Sequence, residues 1–250
     1  MKLESARLDP GAPPAGSRGD WRWLSRWTAV VLAAVLVTGM FFLGELIPPL
    51  MLFGVLLITG AALVRRRDRA GGVLLAVLFV LVVALNAPFI VPSLSVPAST
   101  VDFLLAAIST PLAVVGAIAA VATARRRPVT TDLPRKVALG ASTVIALAVV
   151  VAAVASFTYS DAVARPGDIR VTTEDFAFSK TALTTDGGKV AVFVDNKDGA
   201  LHTFTVEELG VDLQVPAGKS ARVVFDAGSG SYAFICKPHE MDMKGTLEVD

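Results

Sequence analysis

Residues 231–249 read SYAFICKPHEMDMKGTLEV, and this stretch decides the fold of the C-terminal part of the chain. Its two ends, 231–236 and 245–249, are short and rich in aromatic and β-branched residues, which is typical of β-strands. The loop between them carries Cys236 and His239, and the whole chain has only one cysteine and two histidines. Two strands that frame a thiol, an imidazole and methionine side chains indicate a β-domain with chemistry at one end.

Further short segments of the same kind precede this stretch. They cover 189–194, 201–206 and 221–225, and turns rich in Gly, Pro and Asp separate them. An opening strand at 169–178 completes the set. Six or seven short strands at about ten-residue spacing predict an all-β Greek-key sandwich.

The part of the chain before residue 159 has a different composition. Hydrophobic residues make up 54% of the whole chain, and they concentrate in this part. A helix needs about 20 mostly apolar residues to cross a bilayer. Five segments meet this requirement and predict an α-helical transmembrane bundle: about 26–44, 47–64, 71–91, 102–124 and 137–158.

These patterns divide the chain into four parts. The expected parts are a cytoplasmic N-terminal segment (1–25), a membrane domain with five transmembrane helices (26–158), a linker (159–167) and an extracytoplasmic domain (168–250). The lipid bilayer is therefore the first expected partner.

Basic residues indicate the orientation of the bundle. They occupy the N-terminal segment and the regions between the second and third and between the fourth and fifth apolar segments: Lys2, Arg7, Arg18, Arg22, Arg26, Arg65, Arg66, Arg67, Arg69, Arg125, Arg126, Arg127, Arg135 and Lys136. Cytoplasmic loops carry the excess of Lys and Arg. We therefore expect a multi-pass protein of the cytoplasmic membrane, with the N-terminus in the cytoplasm and the C-terminal domain outside. No small-residue cleavage pattern follows the first apolar segment, which favours an anchor over a cleaved signal peptide.

The apolar segments contain few polar groups. Glu45 and Asp102 lie near segment ends, and Asn86 is the main polar interruption. Together with Pro88 and Pro111, Asn86 marks either a kink with a small pocket or ordinary helix packing, and packing is favoured. The pattern gives no reason why an anchor has five helices.

The side chains near the C-terminus indicate a transition-metal site. Thiolate and thioether sulfurs are soft ligands, and imidazole suits copper as well. The spacing Cys-x-Pro-His lets one loop present Cys236 and His239 to the same ion, whereas His202 must come from another strand. Two His, one Cys and a weak axial Met are the signature of a blue-copper electron-transfer site. Each residue alone would be an ordinary core or surface residue, and Met241 and Met243 are both open as the axial ligand.

These residues resemble the cupredoxin family of the plastocyanin, pseudoazurin and amicyanin type. In that family an aromatic-rich strand leads into Cys-x-Pro-His and a following Met, and an Asn/Asp-rich turn precedes a strand-borne His, as at 195–204 here. The motif similarity covers about 194–250, and the strand pattern extends it to about 168. The resemblance implies one type 1 copper ion that cycles between Cu(I) and Cu(II), with the metal ligands His202, Cys236, His239 and Met243.

Two details of the resemblance concern individual positions. Met243-Lys244-Gly245 matches the family's Met-(Lys/Arg)-Gly pattern, and Met241 would make a very short loop, so Met243 is favoured. Several family members have Asn after the first His, where this chain has Thr203. In those proteins that residue ties the two ligand loops together. The hydrogen bonds around the ligands are therefore expected to differ here. The resemblance does not include the five helices.

The expected function is the transfer of single electrons at the outer face of the cytoplasmic membrane, between a donor and an acceptor that the sequence does not identify. The alternative is copper handling or sensing, but a closed four-ligand set and only five methionines argue against an open delivery site. A metal-free structural module is a third hypothesis, which the complete ligand set disfavours.

Counting residues argues against an enzyme. Two histidines are too few for the trinuclear cluster of a multicopper oxidase, and one cysteine is too few for a binuclear copper centre. The Cys-His-His-Met set also suits a catalytic zinc ion poorly. The net charge of +1 gives no reason to expect a nucleic-acid partner.

Overall fold

The computed structural model describes residues 20–44, 46–127 and 132–250. Within these ranges, five α-helices precede a domain of nine β-strands. The helices are α1 (Trp21–Leu43), α2 (Pro48–Arg66), α3 (Asp68–Ser95), α4 (Thr100–Ala124) and α5 (Leu133–Thr158). The expectations for residues 1–19, with Lys2, Arg7 and Arg18, and for Glu45 lie outside the described residues.

All five helices are long and apolar enough to cross a membrane. Large apolar side chains such as Leu52, Val80 and Leu147 are exposed on their outer surfaces, which is the pattern of helices that face lipid. Helix α1 begins five residues before the predicted segment. Its start is stabilised by Asp20, whose carboxylate accepts the backbone N–H of Arg22 at 3.3 Å as an N-cap.

Small residues allow the helices to approach each other closely. A Cβ atom at Gly72 would lie 2.7 Å from the backbone nitrogen of Ala124, so α3 and α4 touch through their backbones. In α3, Asn86 donates its side-chain N–H to the carbonyl of Val82 at 2.7 Å. This partner lies one turn earlier in the same helix.

The nine strands form two sheets packed face to face. Their bounds are β1 (Ile169–Glu174), β2 (Ala177–Phe178), β3 (Ala182–Thr185), β4 (Gly188–Asn196), β5 (His202–Val206), β6 (Val211–Val215), β7 (Ser220–Ala227), β8 (Gly230–Ile235) and β9 (Lys244–Val249). The sheet orders are β2-β1-β4-β7 and β3-β9-β8-β5-β6. Strand β1 is parallel to β4 and β3 is parallel to β9, while the other pairs are antiparallel.

The predicted fold class, a helical bundle followed by a β-sandwich, is confirmed, but the number of strands was underestimated. The segment 169–178 is two strands and not one, because the chain turns at Asp175 and Phe176. Strands β3 and β6 were not predicted. Strand β3 has only four residues, and β6 follows β5 after a single 3-10 turn, Glu207–Leu209, so neither stands out as a separate segment in the sequence.

The core of the sandwich arises from alternation along its strands. Every second residue of β4 points inward, so that Val190, Val192 and Val194 are buried. Within the core, the ring of Phe204 on β5 and the ring of Phe234 on the neighbouring strand β8 stack with their centroids 5.0 Å apart. This packing holds rigidly the strands from which the functional side chains project.

One end of the sandwich, called the ligand end below, collects four connections. These are the turn 175–176 and the loops 197–201, 216–219 and 236–243, which join strands that start or finish at this end.

Candidate metal centre

The ligand end brings together the two histidines and the cysteine. His202 is the first residue of β5, Cys236 follows β8 directly, and His239 ends a short 3-10 turn (Lys237–His239) in the same loop as Cys236. The Cys236 sulfur lies 3.5 Å from Nδ1 of His202 and 3.5 Å from Nδ1 of His239. Among the described residues, these three side chains form a cluster whose donor atoms all lie within 4.8 Å of one another.

The spacing of these donors fits a single metal ion. Metal bonds to imidazole nitrogen and thiolate sulfur of about 2.0–2.3 Å place ligand atoms around one ion roughly 3.3–3.8 Å apart. Both sulfur–nitrogen distances in the cluster fall in that interval. The donor set of one sulfur and two imidazole nitrogens is also the one that copper favours.

Burial sets the protonation of the three groups in the absence of a metal. Burial lowers the pKa of His202, and it lowers the pKa of His239 to about 4 with help from the neighbouring imidazole of His202. Both imidazoles are therefore neutral at neutral pH and have a lone pair to offer. Burial raises the pKa of the Cys236 thiol, so formation of the thiolate depends on a cation that replaces the proton.

The two candidate axial residues have opposite surroundings. Met243 is fully buried and belongs to the hydrophobic core, whereas Met241 is 87% exposed. Backbone hydrogen bonds hold Met243 next to the other groups, because its N–H donates to the His239 carbonyl at 2.8 Å and its carbonyl accepts the Cys236 N–H at 2.9 Å. The surroundings of Met243 therefore suit a buried ligand, and those of Met241 do not.

Thr203 joins the two ligand-bearing segments. Its backbone N–H donates to the Cys236 sulfur at 3.3 Å, and its hydroxyl oxygen accepts the Lys237 N–H at 2.9 Å. The position that holds Asn in several cupredoxins thus still ties the loops together, with a hydroxyl instead of an amide. The N–H contact also stabilises negative charge on sulfur.

Asp198 is a functional candidate that sequence reasoning missed. Its Oδ2 atom lies 2.7 Å from Nε2 of His202, the ring nitrogen that faces away from the cluster. A carboxylate behind a ligating imidazole fixes the ring orientation and makes the ligand more basic. Only its position four residues before His202, in a loop rich in Asp and Asn, hinted at this role.

Asp198 also holds the turn that carries Phe176. Its carboxylate accepts the N–H of Asp175 at 2.8 Å and that of Phe176 at 3.2 Å. Both turn residues are left-handed, with φ of 52° and 56°, which is rare and unfavourable for a bulky residue such as Phe. The ring of Phe176 is thereby placed edge-on to His239, with centroids 5.0 Å apart.

Asn196 connects the loops beneath the site. Its side-chain N–H groups donate to the carbonyls of Ala200, Val215 and Pro216 at 2.8, 3.0 and 3.1 Å. Its oxygen accepts the hydroxyl of Thr173 and the N–H of Asp198. The Asn/Asp-rich turn seen in the sequence therefore has a structural role, since one buried amide joins two loops of the ligand end to strand β1.

Comparisons with known proteins concern the C-terminal part of the chain. A family model described as a cupredoxin-like domain matches residues 144–249. Among solved structures, the chain is similar to a reduced Trp-to-Tyr variant of amicyanin, with 18% identity, a TM-score of 0.31, and coverage of 35% of this chain and 86% of that one. It is also similar to the Cu(I) form of a Met-to-Ala variant of amicyanin, with 19% identity, a TM-score of 0.31 and the same coverages. The comparison with curated proteins gives no match.

The C-terminal part of the chain is a cupredoxin-like domain, and five apolar helices precede it. Its donor cluster, with Met243 buried beside it, forms a set suited to type 1 copper, in agreement with the expected cofactor.

Proposed function

We propose that the protein is a membrane-anchored blue-copper protein that carries single electrons and is not an enzyme. The observation that carries this proposal is the cluster of one thiol and two neutral imidazoles, two of the three groups buried, whose donor atoms lie within 4.8 Å of one another. The proposed ligands are His202, Cys236, His239 and, as the axial ligand, Met243. A copper ion bound there would supply the reversible Cu(I)/Cu(II) couple.

The residues around the cluster favour electron transfer because they limit rearrangement. Asp198 orients His202, the N–H of Thr203 holds the sulfur, and Met243 is fixed by two backbone hydrogen bonds. A site whose ligands are fixed before the metal changes oxidation state needs little reorganisation on gaining or losing an electron. Metal delivery, by contrast, requires ligands that can leave, and three of the four proposed ligands are fully buried.

The proposal includes the arrangement in the membrane. We propose that 26–158 crosses the cytoplasmic membrane five times, that 1–25 begins on the cytoplasmic side, and that 168–250 lies outside after a linker at 159–167. Five helices of sufficient length and the one-sided distribution of Arg and Lys support this arrangement. The partners would be the lipid bilayer and a redox donor and acceptor at the outer face.

The test uses the full chain, purified in detergent and loaded with one Cu(II) per protein. A stepwise potentiometric titration would follow the visible absorption through reduction and reoxidation, and gel filtration would then measure retained copper. The proposal expects complete, repeatable cycles with all copper retained. Loss of copper on reduction, or tight binding of Cu(I) alone, would overturn the electron-carrier function and favour copper handling.

A further inference from the structure

The ligand end of the cupredoxin-like domain contacts the helical bundle directly. The backbone N–H of Leu201 donates to Oδ2 of Asp102, in the first turn of α4, at 2.9 Å. The N–H of Ala217 donates to the hydroxyl of Ser99, the residue before α4, at 3.2 Å. The Ser99 hydroxyl donates to the same Asp102 oxygen at 2.6 Å, so these two residues form one acceptor pair for two loops.

Much of this contact is buried, while Asp102 and Ala217 are partly exposed. Ser99 is completely buried, and Leu201 is only 3% exposed although it is not part of the sandwich core. A carboxylate at such a place is costly unless hydrogen bonds compensate for the lost water. The bonds from Leu201 and Ser99 supply this compensation, which makes the contact specific.

A second contact requires a residue without a side chain. A Cβ atom at Gly199 would lie 2.7 Å from the backbone oxygen of Phe42, near the end of α1. The φ angle at Gly199 is not in the left-handed region, so the close approach and not the backbone conformation makes glycine necessary.

A third contact comes from the segment after α5. The carboxylate of Asp161 accepts the N–H of Ser220 at 2.8 Å, and the Ser220 hydroxyl donates to the carbonyl of Ala162 at 2.9 Å. The Tyr159 hydroxyl donates to the Ser220 carbonyl at 3.2 Å. The connecting segment is therefore bound along the ligand end and does not act as a free tether.

These contacts lead to the metal cluster by a short path. Leu201 precedes His202, and the same loop carries Asp198, whose carboxylate orients the His202 ring. The Asp198 carbonyl accepts the N–H of Gly218, so the two docked loops are also bonded to each other. A shift of the bundle contact would thus move the buried imidazole.

We propose that the helical bundle is part of the scaffold of the metal centre, and that Ser99 and Asp102 are positioning residues that hold the loop bearing His202. This gives the bundle a role beyond anchoring. The inference has two parts. The effect of the contact on bound copper rests on the proposed function, whereas the docking of the domain on the bundle does not.

The docking of the domain on the bundle is tested by hydrogen–deuterium exchange of the metal-free full chain in lipid nanodiscs. In the wild type, the amides of 198–203 and 217–220 are expected to be protected. Asp102→Ala is expected to raise their exchange by at least about ten-fold, because the Leu201 N–H loses its acceptor. Gly199→Ala should also raise the exchange of these amides, because its Cβ would collide with the Phe42 backbone oxygen, and it removes no hydrogen-bonding group. Asp226→Ala, an exposed acid at the opposite end of the sandwich, is the control.

The effect on the metal site is tested with the same proteins after each is loaded with Cu(II). Asp102→Ala is expected to change the copper hyperfine splitting in electron paramagnetic resonance and the reduction potential, and Asp102→Asn, which keeps an acceptor oxygen, should restore part of the wild-type values. If both Asp102→Ala and Gly199→Ala exchange their loop amides at the wild-type rate, the docking is overturned. Altered exchange with unchanged spectrum and potential would overturn the positioning role. A wild type without a blue-copper spectrum would instead refute the proposed function and leave the exchange result valid.

Discussion

Removal of the Asn196 side chain is expected to loosen the whole ligand end. This amide is 1% exposed and makes five hydrogen bonds, three as donor and two as acceptor. Asn196→Ala deletes them all, and backbone groups of the loops 197–201 and 216–219 lose a partner in a buried place. No ligand of the proposed metal site is changed.

The magnitude follows from the number of independent bonds. Two N–H groups serve three carbonyls, so the amide makes about four independent hydrogen bonds. At a net value of about 1 kcal/mol each, Asn196→Ala should lower the free energy of unfolding by about 4 kcal/mol. That is a large share of the roughly 5–15 kcal/mol that stabilises a typical domain. Asn196→Asp should also be strongly destabilising, because a carboxylate cannot donate to the three carbonyls.

The assay uses the chain's single cysteine. Cys236 is fully buried, so its alkylation in the metal-free full chain reports opening of the domain, and the labelling rate follows the open population when reclosing is fast. A loss of 4 kcal/mol corresponds to a rise in labelling of roughly a thousand-fold. The control, Asp226→Ala, should label like the wild type. A rise of less than about five-fold in Asn196→Ala would refute the view that this amide organises the ligand end.

Three further predictions concern the metal site and the acid stability of the domain. Asp198→Asn removes a negative charge behind one ligand and should raise the reduction potential by on the order of tens of millivolts, measured by redox titration. Met243→Leu should alter the copper spectrum and potential, whereas Met241→Leu, on the same loop but exposed, should leave both unchanged. Arg222 lowers the pKa of Asp168 to about 2, through two side-chain hydrogen bonds. Because the folded pKa lies below the ordinary value of about 3.9, the stabilisation is present above pH 4 and is lost as the pH falls towards 2. Resistance of the domain to pepsin should therefore be higher in the wild type than in Arg222→Met near pH 4, and the two should converge at pH 2.

The closeness of Cys236 and His239 could be predicted from the sequence because three of the four proposed ligands are near each other in the chain. Cys236, His239 and Met243 lie in one loop, and the spacing of a short loop limits what its side chains can reach. The five apolar helices could be predicted for a similar reason, since length and composition decide whether a helix can cross a bilayer.

The contacts that hold the ligand-bearing loops in place could not be predicted, because they join residues that are far apart in the chain. Asp102 and Leu201 are 99 positions apart in the chain, and no spacing rule connects them. The sequence pattern predicts one strand through Phe176, since the left-handed backbone of a non-glycine residue has no signature in the sequence. It exists because the carboxylate of Asp198 accepts both of its N–H groups.

The most direct test of the central claim is the visible and electron paramagnetic resonance spectrum of the full chain loaded with Cu(II), compared with Cys236→Ser. The account predicts an intense thiolate-to-copper absorption band and a small copper hyperfine splitting in the wild type, both lost in the variant. A colourless wild-type protein, or a Cys236→Ser variant with the wild-type spectrum, would contradict it.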